Sequence, residues 1–192
     1  MKLTWFLGLL MCTGALSVGC GDSGGGDGGD GGFGGAAGQA GTGGAMNTPI
    51  EVTEDSFDCI LDGTPVRKFY VKNLLGDLDA SLAVANGEAE LPYPPGTLLQ
   101  LVPQEAMVKR EVGFSDETND WEFFFLEISA DGTTIAQRGA AEAENAFGAN
   151  CFACHAAAAD NDFVCETDNG CDPLPIGDDV FVSLQQGDLR CE

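Results

Sequence analysis

The stretch Cys151-Phe152-Ala153-Cys154-His155 constrains this chain more than any other. Its two thiols are three residues apart, one turn of helix, so both leave the same edge, and the next residue adds an imidazole. That order and spacing is the one by which a haem is attached through two thioethers and held by an axial nitrogen. Other uses of the two thiols fit less well. A redox dithiol wants a βαβ context that the sequence does not offer, and neither it nor a small disulfide explains the adjacent histidine. A tetrahedral zinc site needs two further soft ligands at suitable spacing, and no second C-x-x-C or H-x-x-x-H is present. His155 is the only histidine in 192 residues.

Residues 1–19 carry one charge, Lys2, followed by an apolar run too short to span a bilayer comfortably and then by small residues, the pattern of a signal peptide. Leu16-Ser17-Val18-Gly19-Cys20 resembles a bacterial lipoprotein processing site, with Leu16 one place further from the cysteine than is usual. Cys20 is then expected to be the acylated first residue of the mature chain, anchored in the membrane by several acyl chains. Gly21 follows it, and no aspartate stands there to signal inner-membrane retention, so the expected location is the outer membrane of a Gram-negative bacterium. The other reading is an ordinary secretory signal with an incidental cysteine.

Residues 20–45 hold this cysteine and a run with fourteen glycines among twenty-five residues and almost nothing to bury. Such a run behaves as a flexible tether with an r.m.s. span of about 25–30 Å. A phosphate-binding loop is excluded, since no strand precedes the glycines and no Gly-Lys-Ser/Thr follows. Residues 46–192 have the length and apolar content of one domain.

The net charge of −23 becomes −24 once Lys2 leaves with the signal peptide. That charge argues against nucleic acid and, where it does more than keep an exported protein soluble, favours a basic redox partner protein or a small neutral ligand over anions. Eight cysteines suit an oxidising compartment. With Cys12 removed, Cys20 lipidated, and Cys151 and Cys154 on haem, an even remainder is left for two disulfides: Cys59, Cys165, Cys171 and Cys191. Cys165 and Cys171 enclose a short turn-rich loop and are the easier pair to close, leaving Cys59 for Cys191; this is one of three possible connectivities.

Period and punctuation predict strands over 65–71, 97–102 and 106–113, and a hairpin of 121–129 with 133–138 across Ala130-Asp131-Gly132. Helices are predicted over 77–85, over 140–147 leading into the C-x-x-C-H segment, and over 178–186. The fold class expected is α+β: a mainly antiparallel β-sheet with a few flanking helices and a covalently bound haem c.

Tyr93-Pro94-Pro95-Gly96-Thr97, Glu105-Ala106-Met107-Val108-Lys109, Asp120-Trp121-Glu122-Phe123-Phe124-Phe125 and the late single C-x-x-C-H, taken in that order and spacing, resemble the cytochrome P-460 family, with its related beta-type cytochromes c-prime. The resemblance covers about residues 71–162. It implies a mainly β fold, His155 as proximal iron ligand, Cys151 and Cys154 as thioethers, and a sheet packed over the other haem face. Hydroxylamine-oxidising members cross-link a lysine to the porphyrin; the matching place here holds Leu101, which counts against that chemistry. Glu105 falls where such members place a distal acid; its other reading is a solvated strand-end carboxylate.

With one histidine, bis-histidine ligation is excluded, and after processing only Met46 and Met107 could supply a thioether to iron. Met46 adjoins the tether, and Met107 reads equally as core packing. Phe123, Phe124 and Phe125 alternate across a sheet, so Phe123 and Phe125 are candidates to line an apolar haem pocket. These residues support three functional readings. The first is a cytochrome for one-electron transfer or for binding a small neutral ligand such as nitric oxide. The second is an enzyme oxidising hydroxylamine or nitric oxide with Glu105 as proton acceptor, and the third a non-haem lipoprotein held by disulfides.

Overall fold

A computed structural model describes residues 48–166, 169, 171–174 and 176–191. The signal segment, Cys20, the glycine-rich tether and Met46 lie outside the described residues. So do Thr167, Asp168 and Gly170 of the short cysteine loop.

Six strands form one antiparallel meander in chain order: β1 (Thr64–Val66), β2 (Phe69–Asn73), β3 (Thr97–Val102), β4 (Glu105–Lys109), β5 (Trp121–Ser129) and β6 (Gly132–Arg138). Three helices accompany them: α1 (Leu78–Ala85), α2 (Cys151–His155) and α3 (Asp178–Gln186). The class is therefore α+β with a mainly antiparallel sheet. No helix among the described residues is long and apolar enough to cross a membrane.

Alternation along the strands divides the core in two. Val71, Leu99, Met107 and Phe123 are register partners across β2 to β5 and form one row on one face. That face is covered by α1, by Cys151 and Phe152 of α2, and by Phe163 and Val164. Leu98, Val108, Ala106, Phe124 and Leu126 point the other way and are covered by Ile50, Val52 and Phe57 of the N-terminal segment. Glu122 lies on this second side, 5% exposed, and is held by Arg110 and by two bonds from Arg138 at 2.8 and 2.9 Å.

The C-terminus is clamped as well. The Cys59–Cys191 disulfide closes there, beside a buried Arg190 that reaches Asp188, the Phe57 carbonyl (3.1 Å), Thr133 (2.9 Å) and the Pro103 carbonyl (3.3 Å). Asp188 in turn accepts the Ile60 N–H at 2.9 Å. The second disulfide joins Cys165 to Cys171. Both are the pairs expected from loop closure.

Three expected elements differ. The strand expected over 65–71 is the hairpin β1–β2, turning at Arg67 (φ 52°) and Lys68. A straight strand would send Val66 and Phe69 to opposite faces; the reversal makes them direct partners, and both enter the core. The strand expected over 106–113 stops at Lys109, because Arg110 leaves the ladder to meet Glu122 and the Ile50 carbonyl (2.7 Å).

The helix expected over 140–147 does not form. Side chains take the backbone groups a helix would use. Asn145 accepts from the Phe147 and Ala149 N–H groups, both at 3.0 Å, Gln137 accepts from Glu144, and Asn150 donates to the Ala140 carbonyl at 2.9 Å. Gly139 and Gly148, with φ of 103° and 76°, bracket this knot of turns.

Candidate haem site

The C-x-x-C-H residues form α2 itself. Asn150 caps the helix, its side chain accepting the Ala153 N–H at 2.8 Å, and a 3-10 turn, Ala156–Asn161, continues it. Cys151 is buried against the sheet and Cys154 is exposed on the next turn. Among the described cysteines these two alone are unpaired. Burial, and then the charge of Glu105, push the Cys151 thiol up to about 12, so it is a neutral thiol at physiological pH.

His155 packs against Phe123, ring centroids 5.2 Å apart, and its Nδ1 lies 2.6 Å from the Phe163 carbonyl. A carbonyl can only accept, so Nδ1 carries the proton and Nε2 keeps its lone pair. No described residue hydrogen-bonds Nε2. Burial pushes the imidazole below its ordinary range and outweighs the Phe163 bond, which acts the other way; the ring is neutral. These donors fit a covalently bound haem: two unpaired thiols on one turn, and a single imidazole with a bare nitrogen. No three His, Cys, Asp or Glu side chains gather as a metal site among the described residues. A porphyrin iron needs no such cluster, because the macrocycle supplies four of its ligands and the protein one or two.

The sheet face against which α2 packs carries the other expected residues. Met107 pairs with Phe123, and Glu105 with Phe125, so all four share the side of the sheet on which Cys151 lies. Met107 is 6% exposed within the apolar core. Phe124 points away and meets Phe57 across the second core, centroids 5.1 Å apart. Glu105 is half-buried and accepts the Ala146 N–H at 3.0 Å, and burial raises its pKa. It is thus tied to the loop before α2 and is not a freely solvated strand end. Leu101 packs its side chain against the same core. Lys109 is 4% exposed and bound to Asp162 at 2.7 and 2.9 Å and to the Asn119 carbonyl at 2.7 Å.

A surface cleft of about 550 Å³ is lined by Arg67, Asn86, Tyr93, Asn161 and Glu166 among others, and does not include Cys151, Cys154 or His155. Sequence reasoning missed Asn150, Phe163 and Asp162. Asn150 was findable as an N-cap residue directly before a helical motif. The Phe163 carbonyl was not, because any residue supplies one and only the turn after α2 brings it to the imidazole.

No protein-family model, no curated protein and no solved structure matches the chain.

Proposed function

We propose that this chain is a lipid-anchored c-type cytochrome of the cytochrome P-460 kind, with haem c bound through Cys151 and Cys154 and His155 as the axial iron ligand. One observation carries the reading. In a chain whose other described cysteines are paired, the two free thiols stand one turn apart, immediately before a lone histidine whose Nδ1 is engaged and whose Nε2 is bare. Bound haem would supply a one-electron ferric/ferrous couple and a site for a small neutral ligand such as nitric oxide.

The protein's part is to hold and to shield. Asn150 fixes the start of α2, the Phe163 carbonyl fixes the plane and tautomer of His155, and Phe123 packs on the imidazole. Phe123, Phe125 and Met107 make the facing side of the sheet apolar, which suits a neutral ligand, and Met107 supplies a thioether if the iron takes a sixth protein ligand. The strongly acidic chain favours a basic redox partner. Hydroxylamine oxidation is the weaker reading, because Leu101 occupies the cross-linking place and Lys109 is sequestered by Asp162. Glu105 would be its proton acceptor.

The test is to express the full chain in a host able to mature cytochromes c, and to record an intact mass and the absorption spectra of both oxidation states. Covalent haem with ordinary c-type bands, lost in Cys151→Ser/Cys154→Ser, is the expected result. A shifted ferrous Soret band with a third covalent link would move the assignment to the cross-linked oxidases. A mass equal to the processed, acylated polypeptide less two hydrogens for each disulfide, with no haem added, would leave the non-haem lipoprotein.

A further inference from the structure

Asp162 and Phe163 are consecutive non-glycine residues in the left-handed region, with φ of 50° and 59°. A bulky side chain such as phenylalanine rarely adopts that backbone, so something outside the turn must hold it there. Bonds within the turn, from Phe163 N–H to the Ala158 carbonyl (2.9 Å) and from Val164 N–H to the Asn161 carbonyl (3.0 Å), close it without anchoring it to the sheet. The Asp162 carboxylate does the anchoring. It accepts Lys109 Nζ on both oxygens, the Tyr93 N–H at 2.8 Å and the Asn119 amide, and only 2% of its side chain is exposed.

Buried ion pairs are seldom retained for stability alone, since a well-packed apolar pair of similar volume often does as well. The residue after Asp162 supplies the carbonyl that meets His155. Phe163 O is the acceptor for His155 Nδ1, 2.6 Å away. We infer that the Lys109–Asp162 pair is a positioning device for His155: it holds the left-handed turn that brings the Phe163 carbonyl onto Nδ1, and so selects the tautomer that leaves Nε2 bare. The consequence for iron rests on the haem reading; the consequence for the tautomer does not. An Nδ1–H···O bond makes an axial imidazole a stronger donor and favours ferric iron, so releasing it favours the ferrous state.

The experiment uses the full chain with Lys109→Met and with the neutral pair Lys109→Met/Asp162→Asn, which leaves no uncompensated buried charge and carries the test where the single variant does not fold. Long-range proton–nitrogen NMR of the haem-free protein reads the His155 tautomer. A titration against a one-electron reductant reads the ferric/ferrous balance of the haem-loaded protein. The wild-type chain should show one tautomer, protonated at Nδ1. The neutral-pair variant, still melting cooperatively, should show a mixture of tautomers and a ferric/ferrous equilibrium moved about tenfold towards ferrous, equivalent to about 59 mV. A folded neutral-pair variant with an unchanged tautomer and an unchanged equilibrium would overturn the inference. A moved tautomer in a chain that never acquires haem would support the positioning role while removing the cytochrome assignment, so the two failures are distinguishable.

Discussion

The two disulfides should contribute unequally, and the chain's own geometry sets the ratio. Cys59–Cys191 closes a separation of 132 residues and Cys165–Cys171 one of 6. In the chain-entropy account the long loop is worth about 5 kcal/mol and the short one about 2 kcal/mol, because the constraint on the unfolded ensemble grows with the logarithm of loop length. For a domain of this size, about 2–4 °C of melting temperature accompanies each kcal/mol. Cys59→Ala/Cys191→Ala should therefore melt about 10–20 °C below the parent, and Cys165→Ala/Cys171→Ala about 4–8 °C below it. Native contacts set the direction of any shortfall. Arg190 and Asp188 grip Phe57, Ile60, Pro103 and Thr133 beside the long-range disulfide, so the C-terminus keeps its place in the folded state and the loss falls mainly on the unfolded state. Thermal unfolding followed by far-ultraviolet circular dichroism without reductant measures both variants. An equal loss in the two, or a larger one for the short loop, would refute the entropic argument.

Other outcomes rest on the same contacts. Arg190→Met, which strands the buried Asp188 carboxylate, should cost about 3–5 kcal/mol in urea unfolding, and Asp188→Asn/Arg190→Met should recover part of that loss. Burial raises the Glu105 pKa, so that carboxyl favours folding most when protonated, below its unfolded value near about 4.3, and loses this contribution as pH rises through its higher folded value. Glu105→Gln should accordingly match the parent below about pH 4 and exceed it in melting temperature at pH 7, while still accepting the Ala146 N–H. Phe124→Ala and Phe123→Ala should each cost about 3–5 kcal/mol, but of the two only Phe123→Ala should shift the His155 ring resonances, since Phe123 packs against the imidazole and Phe124 against Phe57.

How far the sequence could be read depended on whether the deciding contact was local. Strands β3 and β5 and helix α3 were legible at both ends because a largely apolar run, or an amphipathic period, lay between turn residues. The β1–β2 reversal was not. Arg67-Lys68 lacks the Asn-Gly or Asp-Gly that announces a tight hairpin, and Arg67 takes a positive φ that its type does not favour. The 140–147 stretch is rich in alanine and glutamate and therefore looks helical, yet several of its backbone groups are taken by the side chains of Glu105, Gln137, Asn145 and Asn150. Within the candidate site, the C-x-x-C-H residues and the two-sided phenylalanine run were visible as pattern. The Lys109–Asp162 pair, bridging 53 residues, was visible only as two ordinary charges.

The division of the sheet explains why the C-x-x-C-H segment can come so late in the chain. Each strand pairs with its sequence neighbour, so the meander is complete at Arg138, before Cys151 is reached. Its second face is closed by Ile50, Val52 and Phe57 and by the Glu122–arginine cluster, none of which involves α2. The first face keeps an apolar row, Val71, Leu99, Met107 and Phe123, against which the α2 segment packs. That segment is fastened to the sheet at two places, Glu105 to the Ala146 N–H and Lys109 to Asp162, while the Phe163 carbonyl of the second loop holds His155. Both fasteners come from β4 and flank Met107 two residues away on either side, so the strand that presents the sheet's only described methionine also fixes the loops entering and leaving α2. A displacement of β4 would therefore carry with it both loops that bound α2, and through the second of them the carbonyl that holds the His155 imidazole.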